Sequence, residues 1–159
     1  MKRKVINTAV LVFLIMSLVI ILSYRQCQKP FIEAQKQGLS ILTKKHKIEA
    51  IKSFYWFNGK KSYGTFVAKS KKEGYFYSII DLQNKKERIF KQKDLIDEKE
   101  AKEITMNDLS LKAEAIKEAR LGLNDSEPVW EINYLYKGKM GYYYISAKTG
   151  EWQKNISNI

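Results

Sequence analysis

Eighteen consecutive residues, 5–22, contain nothing more polar than Asn7, Thr8 and Ser17. Coiled as a helix at about 1.5 Å per residue, they span roughly 27 Å, close to the hydrocarbon thickness of a bilayer. The chain therefore opens on a membrane segment behind a basic tip, Met1-Lys2-Arg3-Lys4, and only residues 25–159 are left to build a folded body. That length suits one ordinary domain or two very small ones and excludes a large multidomain enzyme.

The residues after the apolar run read as an uncleaved anchor. Leu22-Ser23-Tyr24-Arg25-Gln26 offers no small-x-small cleavage pattern, and the run exceeds a signal-peptide core. Cys27 stands where a lipoprotein signal places its acylated cysteine, but bulky Tyr24, Arg25 and Gln26 before it favour a free juxtamembrane thiol. Basic residues nearly balance across the span, with Lys2, Arg3 and Lys4 on one side and Arg25, Lys29 and Lys36 on the other. A four-residue tail is easily retained and a long following domain is translocated largely regardless of its charge, which predicts the N-terminus inside and the body outside. A single cysteine allows no intramolecular disulfide, so the body must be held by its core.

Charge divides the body. Residues 25–93 carry 17 basic and 5 acidic side chains, whereas residues 94–159 carry 9 and 12. With the tip and anchor at 1–24, this predicts a basic membrane-proximal domain at 25–93 and a mildly acidic distal domain at 94–159.

The order of elements suggests a duplication. Residues 30–47 read as a helix, with Pro30 in its first turn and Phe31, Ala34, Leu39, Ile41 and Leu42 forming an apolar stripe. Strands follow at 51–57 and 60–69 around an Asn58-Gly59 turn, then at 75–81 and 87–90. Asp97-Glu98-Lys99-Glu100 is a capping-box start for a helix to about Met106. Residues 111–119 are open between alanine-rich helix and strand. Strands at 129–136, 140–146 and 151–156 close the chain, giving a helix on a small antiparallel sheet, twice: an α+β architecture.

The second half resembles a PepSY-type domain through Glu100-Ala101-Lys102-Glu103-Ile104, Trp130-Glu131-Ile132-Asn133-Tyr134 and Tyr144-Ile145-Ser146-Ala147-Lys148-Thr149-Gly150-Glu151. With the anchor and the helix-sheet first half, nearly the whole chain is similar to the single-pass cell-wall elongation regulators of Gram-positive bacteria, which carry two such PepSY/cystatin-like domains. Thr149-Gly150-Glu151-Trp152-Gln153-Lys154-Asn155-Ile156 is the most specific stretch. The resemblance implies an extracytoplasmic body that acts without catalysis on a penicillin-binding transpeptidase. A protease-inhibiting or sensing module is the first alternative, and a small carboxylate-dependent wall-modifying enzyme the second.

The residues themselves offer little catalytic chemistry. The one histidine, His46, sits in Lys44-Lys45-His46-Lys47, where it serves a helix C-terminus more readily than a nucleophile. One His and one Cys do not make a zinc site, and no motif calls for a cofactor. Glu98, Glu100, Glu103 and Asp108 crowd one helix, where carboxylates usually complement the dipole instead of flanking a substrate. Lys61-Ser62-Tyr63-Gly64-Thr65-Phe66-Val67 partly resembles an RNA-recognition strand, but Thr65 shifts the following aromatics to the other face, and no nucleic-acid partner is expected.

Two surfaces stand out. Lys44, Lys45, Lys47, Lys60, Lys61, Lys71 and Lys72 lie in the basic half and are candidates for contact with anionic lipid or a wall polymer. In the distal half, alternation puts Trp130, Ile132 and Tyr134 on one face and Glu131 and Asn133 on the other, while Tyr142 and Tyr144 oppose Tyr143 and Ile145 on the next strand. One helix covers one face, so Trp130, Tyr134, Tyr142, Tyr143, Tyr144 and Ile145 are the pool from which a partner surface is drawn. The topology has a built-in reporter: a membrane-impermeant maleimide should label Cys27 in intact cells, whereas labelling only after lysis would contradict an exported body.

Overall fold

The computed structural model describes residues 2–157, and of these residues 2–5, 8 and 9 have no described side chain, so the side chains of the basic tip lie outside the described residues. One continuous helix, α1 (Lys2–Lys45), replaces the separate membrane and body helices expected from sequence. Pro30 therefore sits in a helix interior instead of a first turn. It costs a backbone hydrogen bond there, yet residues 23–29 contain no glycine or second proline to turn that loss into a break.

Contacts divide the chain into residues 1–34 and 35–159. The first unit is helix alone. Its apolar side chains from Val10 to Leu22 are mostly more than half exposed, and its most apolar eighteen residues have a mean hydropathy of 2.1 with none buried. Such a helix is long and apolar enough to cross a membrane, and Cys27 is exposed on it.

The second unit holds two four-stranded antiparallel meanders. The first consists of β1 (Ile48–Asn58), β2 (Ser62–Ser70), β3 (Gly74–Asp81) and β4 (Glu87–Lys91), in that order. After α2 (Glu98–Leu109) the second comprises β5 (Ile116–Asn124), β6 (Glu127–Tyr136), β7 (Lys139–Ser146) and β8 (Trp152–Ile156). The expected capping of α2 is present: the Asp97 carboxylate accepts the Glu100 amide at 2.9 Å, satisfying one free donor of the first turn. The open segment resolves as a short 3-10 turn at Ala113–Ala115 followed by strand. Alanine propensity yields there to burial of Ala119, Leu121 and Leu123.

The two faces of the first sheet meet different neighbours. Register aligns Phe54 with Phe66 and Ser78, and Trp56 with Gly64 and Ile80, on the face toward the end of α1. There Gln37 donates to the Leu82 carbonyl at 2.5 Å, Leu42 is fully buried, and the His46 ring lies 5.5 Å from Phe76. The opposite face carries Tyr55, Phe57, Tyr63, Thr65, Val67, Tyr77 and Ile79. It shares one apolar cluster with Ala101 of α2 and with Ala119, Leu121, Trp130, Ile132 and Ile145 of the second sheet. Residues 25–93 and 94–159, distinct in charge, thus contribute to one core from residue 35 onward.

Strand β5, the outer strand of its own sheet, is the element that meets the first sheet. Thr65 donates its hydroxyl to the Leu121 carbonyl at 2.6 Å in a fully buried position. One step along β5, Gly122 lies against the Phe57 ring so closely that an added Cβ would be 2.3 to 2.7 Å from the ring and its own Cβ. The Phe57 Cβ is fixed by its backbone, so a rotamer change of the ring still leaves the 2.7 Å approach. Gly122→Ala should therefore destabilise the protein by about 1 to 3 kcal/mol. Urea unfolding of the full chain in detergent measures this, and an unchanged midpoint would refute the close packing.

Candidate functional site

Two regions gather the residues that sequence singled out, and the second sheet is the more constrained. Its register aligns Ala119, Ile132 and Tyr143 in one row and Leu121, Trp130 and Ile145 in the next. These side chains lie beneath α2. Tyr143 donates to Asp108 at 2.8 Å, and the Trp130 indole N–H donates to the Ile96 carbonyl at 3.0 Å. The Tyr55 ring meets Trp130 edge-on at 5.2 Å. Tyr134 is also buried and donates to Asn155 at 2.9 Å. Trp130, Tyr134, Tyr143 and Ile145 are thus core residues, which corrects their place among partner-facing candidates: the face opposite α2 is the one left available.

That outer face aligns Glu118, Asn133 and Tyr142 in one row and Arg120, Glu131, Tyr144 and Lys154 in another. Tyr142 and Tyr144 are half-buried. Glu131 stands at the centre, only 3% exposed. Arg120 binds one of its oxygens at 3.2 Å and the Tyr144 hydroxyl donates to the other at 2.6 Å, while Arg120 also reaches Glu118 at 2.5 Å. Lys154 lies 5.8 Å above the Tyr144 ring. Beside this network, the Asn133 side-chain oxygen is buried without a hydrogen-bond partner among the described residues. The Tyr142 hydroxyl makes no hydrogen bond among them either.

Sequence reasoning placed Glu131 and Asn133 on this face but missed the network. A glutamate flanked by Trp130 and Ile132 was the available signal. Its partner Arg120 followed a segment left open between helix and strand, so the pairing could not be read.

Three of the four carboxylates of α2 are engaged locally. Glu98 accepts the Tyr55 hydroxyl at 2.7 Å and pairs with Lys102 at 2.5 Å, Glu103 pairs with Lys99 at 3.6 Å, and Asp108 holds Tyr143. A cleft of about 340 Å³ lies between the start of α2 and the first sheet, lined among others by Lys52, Tyr55, Tyr77 and Glu98. No group of three or more His, Cys, Asp or Glu among the described residues is placed to hold a metal ion.

The candidate lysines separate into two sets. Lys60 pairs with Asp125 at 3.1 Å and Lys61 with Asp81 at 3.7 Å, at the β1–β2 turn. Burial alone would raise the Asp81 carboxyl, but Asn84, the Gln83 amide and Lys61 outweigh it and hold the group below its ordinary range. Lys45, Lys47, Lys71 and Lys72 line a cleft of about 620 Å³ at the α1–β1 corner, and Lys44 is exposed. In that cleft His46 approaches Glu87 at 3.1 Å and Glu73 at 3.7 Å.

No protein-family model and no curated protein matches the chain. Among solved structures, the chain is similar to the YpmB protein from Bacillus subtilis, with 26% identity and a TM-score of 0.65 over 77% of this chain and 96% of that one. A lipoprotein candidate from Clostridium difficile 630 aligns over 76% of this chain and 90% of its own at 15% identity and a TM-score of 0.41. The chain has the YpmB-like α+β fold.

Buried tyrosines make this fold sensitive to alkali, Tyr63 among them, raised chiefly by its burial. Burial, and then the carboxylates they face, raise Tyr55 beside Glu98, Tyr143 beside Asp108 and Tyr144 beside Glu131, and push Tyr77 near Asp97 and Glu98 up to about 12. Each folded value exceeds the unfolded one of about 10, so the stability they supply is complete below that pH and is lost as pH rises through the folded values. The Tm should fall steeply from about pH 10 to 12, and Tyr144→Phe should flatten the fall by removing one ionising group. A Tm constant across that window would contradict the assignment.

Proposed function

We propose that this chain is a membrane-anchored, extracytoplasmic, non-catalytic module that regulates cell-wall synthesis by binding a penicillin-binding transpeptidase, with its body built from two PepSY-like halves. The observation that carries this reading is the outer face of the second sheet. No helix among the described residues covers it, yet it displays two half-buried tyrosines around a fixed ion network. Tyrosine supplies large contact area with few rotatable bonds, and a preorganised Arg120-Glu131 pair supplies direction. The exposed apolar helix of residues 10–22 supports attachment to a membrane, and the proposed orientation, N-terminus inside and body outside, follows from the short tail and the long domain after the span. Two proteins held in one bilayer meet at high effective concentration, so a modest patch suffices for association. Similarity to YpmB of a Gram-positive Bacillus fits the cell type.

Tyr142 is the residue that separates binding from folding, because its hydroxyl has no hydrogen bond among the described residues to lose. Tyr142→Ala should cost an anchor's share of affinity, about 2 kcal/mol or more. Tyr143→Ala should instead lower Tm, since it empties core space. Co-purification of the full chain from detergent extracts with its transpeptidase, beside thermal melts of each variant, reads both effects. Retention of the transpeptidase by folded Tyr142→Ala at wild-type levels would overturn the proposed face.

A further inference from the structure

Helix α1 is supported at both ends but not between them. Near its C-terminus Gly38 lies against the Phe66 ring, Leu42 is fully buried, and Gln37 donates to the Leu82 carbonyl at 2.5 Å. Residues 10–22 are apolar and suited to hydrocarbon, where no water competes for the backbone hydrogen bonds. Between the two, residues 23–27, 29 and 30 are exposed, Tyr24 by 65%. A short helical stretch that buries no face is marginal in water, since packing supplies most helical stability. Pro30 falls in that stretch. It has no amide to serve the Gln26 carbonyl four residues back, and its ring crowds that carbonyl. One ion pair spans the proline, Lys29 with Glu33 at 3.9 Å, but its side chains are 62% and 65% exposed, so water screens it.

We infer that residues 26–33 are a hinge in α1, a stretch where the helix opens and bends locally while the turns on either side stay formed. Proline is one of the few causes of a sharp helix bend, and here it sits where no tertiary contact holds the helix straight. Opening is cheap at this point because Gln26 is exposed, so its freed carbonyl meets water and no polar group is left buried without a partner. The same opening is costly on either side. Toward the body it would expose Leu42 and release the Leu82 carbonyl from Gln37. Toward the N-terminus it would leave backbone groups unpaired in hydrocarbon. The hinge is therefore bounded at both ends, and it absorbs bending of the tether whatever the body binds.

The test is hydrogen exchange, resolved to single amides, on the full chain in lipid nanodiscs. After correction for intrinsic rates, residues 27–29 and 31–33 should exchange about tenfold or more faster than residues 38–42, and Pro30→Ala should slow them by about the same factor. The control Gln28→Ala, which changes helix propensity only slightly, should leave them nearly unchanged. Bending is read separately. In a Cys27→Ser background, nitroxides on Tyr24→Cys and Ser40→Cys, both exposed positions, stand about 24 Å apart along a straight helix. Their distance distribution should narrow about twofold once Pro30→Ala is added. Any of four results would overturn the inference: residues 27–33 as protected as 38–42; no slowing by Pro30→Ala; equal slowing by Gln28→Ala, which would mean helix propensity alone; or distributions of equal width with and without the proline.

Discussion

The free edge of β5 is the constraint on which the rest of the body depends. An outer strand presents unpaired carbonyls and amides that must find partners when buried. Here the Leu121 carbonyl receives the Thr65 hydroxyl at 2.6 Å, deep between the sheets. Gly122 next to it removes a side chain so that Phe57 can close over the strand. The contact turns two meanders, each too small to bury both faces, into a single unit with one core. It also fixes which surfaces are covered.

Coverage then assigns chemistry. The first sheet is enclosed by the end of α1 on one side and by α2 with β5 on the other, so its charge is displaced to its ends. At the β1–β2 turn that charge is cancelled by Asp81 and Asp125, and at the α1–β1 corner Lys45 pairs with Glu87 beside Lys47, Lys71 and Lys72. The second sheet has α2 on one face alone, and its other face keeps a buried carboxylate in place with one arginine and one tyrosine hydroxyl. A carboxylate removed from water requires such partners, since losing either leaves a costly unpaired charge. The face proposed to meet a partner is therefore rigid before any partner arrives, which limits the ordering cost of association.

Much of this was legible locally. The apolar run, the Asp97 cap and the alternation in β6 and β7 depend on neighbouring residues, and each is found where its pattern places it. What escaped depends on distant residues. Strand β5 was hidden because Ala113, Ala115 and Ala119 favour helix, and only the neighbouring strand and the first sheet turn the segment into strand. Which tyrosines face inward could be narrowed to two pairs but not chosen, because the choice rests on the side α2 occupies. The grouping of Lys47 with Lys71 and Lys72, and the separation of Lys60 and Lys61 from them, follow from the β2–β3 turn folding beside the α1–β1 corner.

Because β5 joins the two sheets into one core, they should unfold as one cooperative body. Native-state hydrogen exchange on the full chain under increasing denaturant tests it most directly, because it reads the opening free energy of each strand. The slowest amides of β2, β3 and β6 should open together with one common free energy. Opening of β6 and β7 at a distinctly lower free energy, with β2 and β3 still protected, would show two independent domains and contradict it.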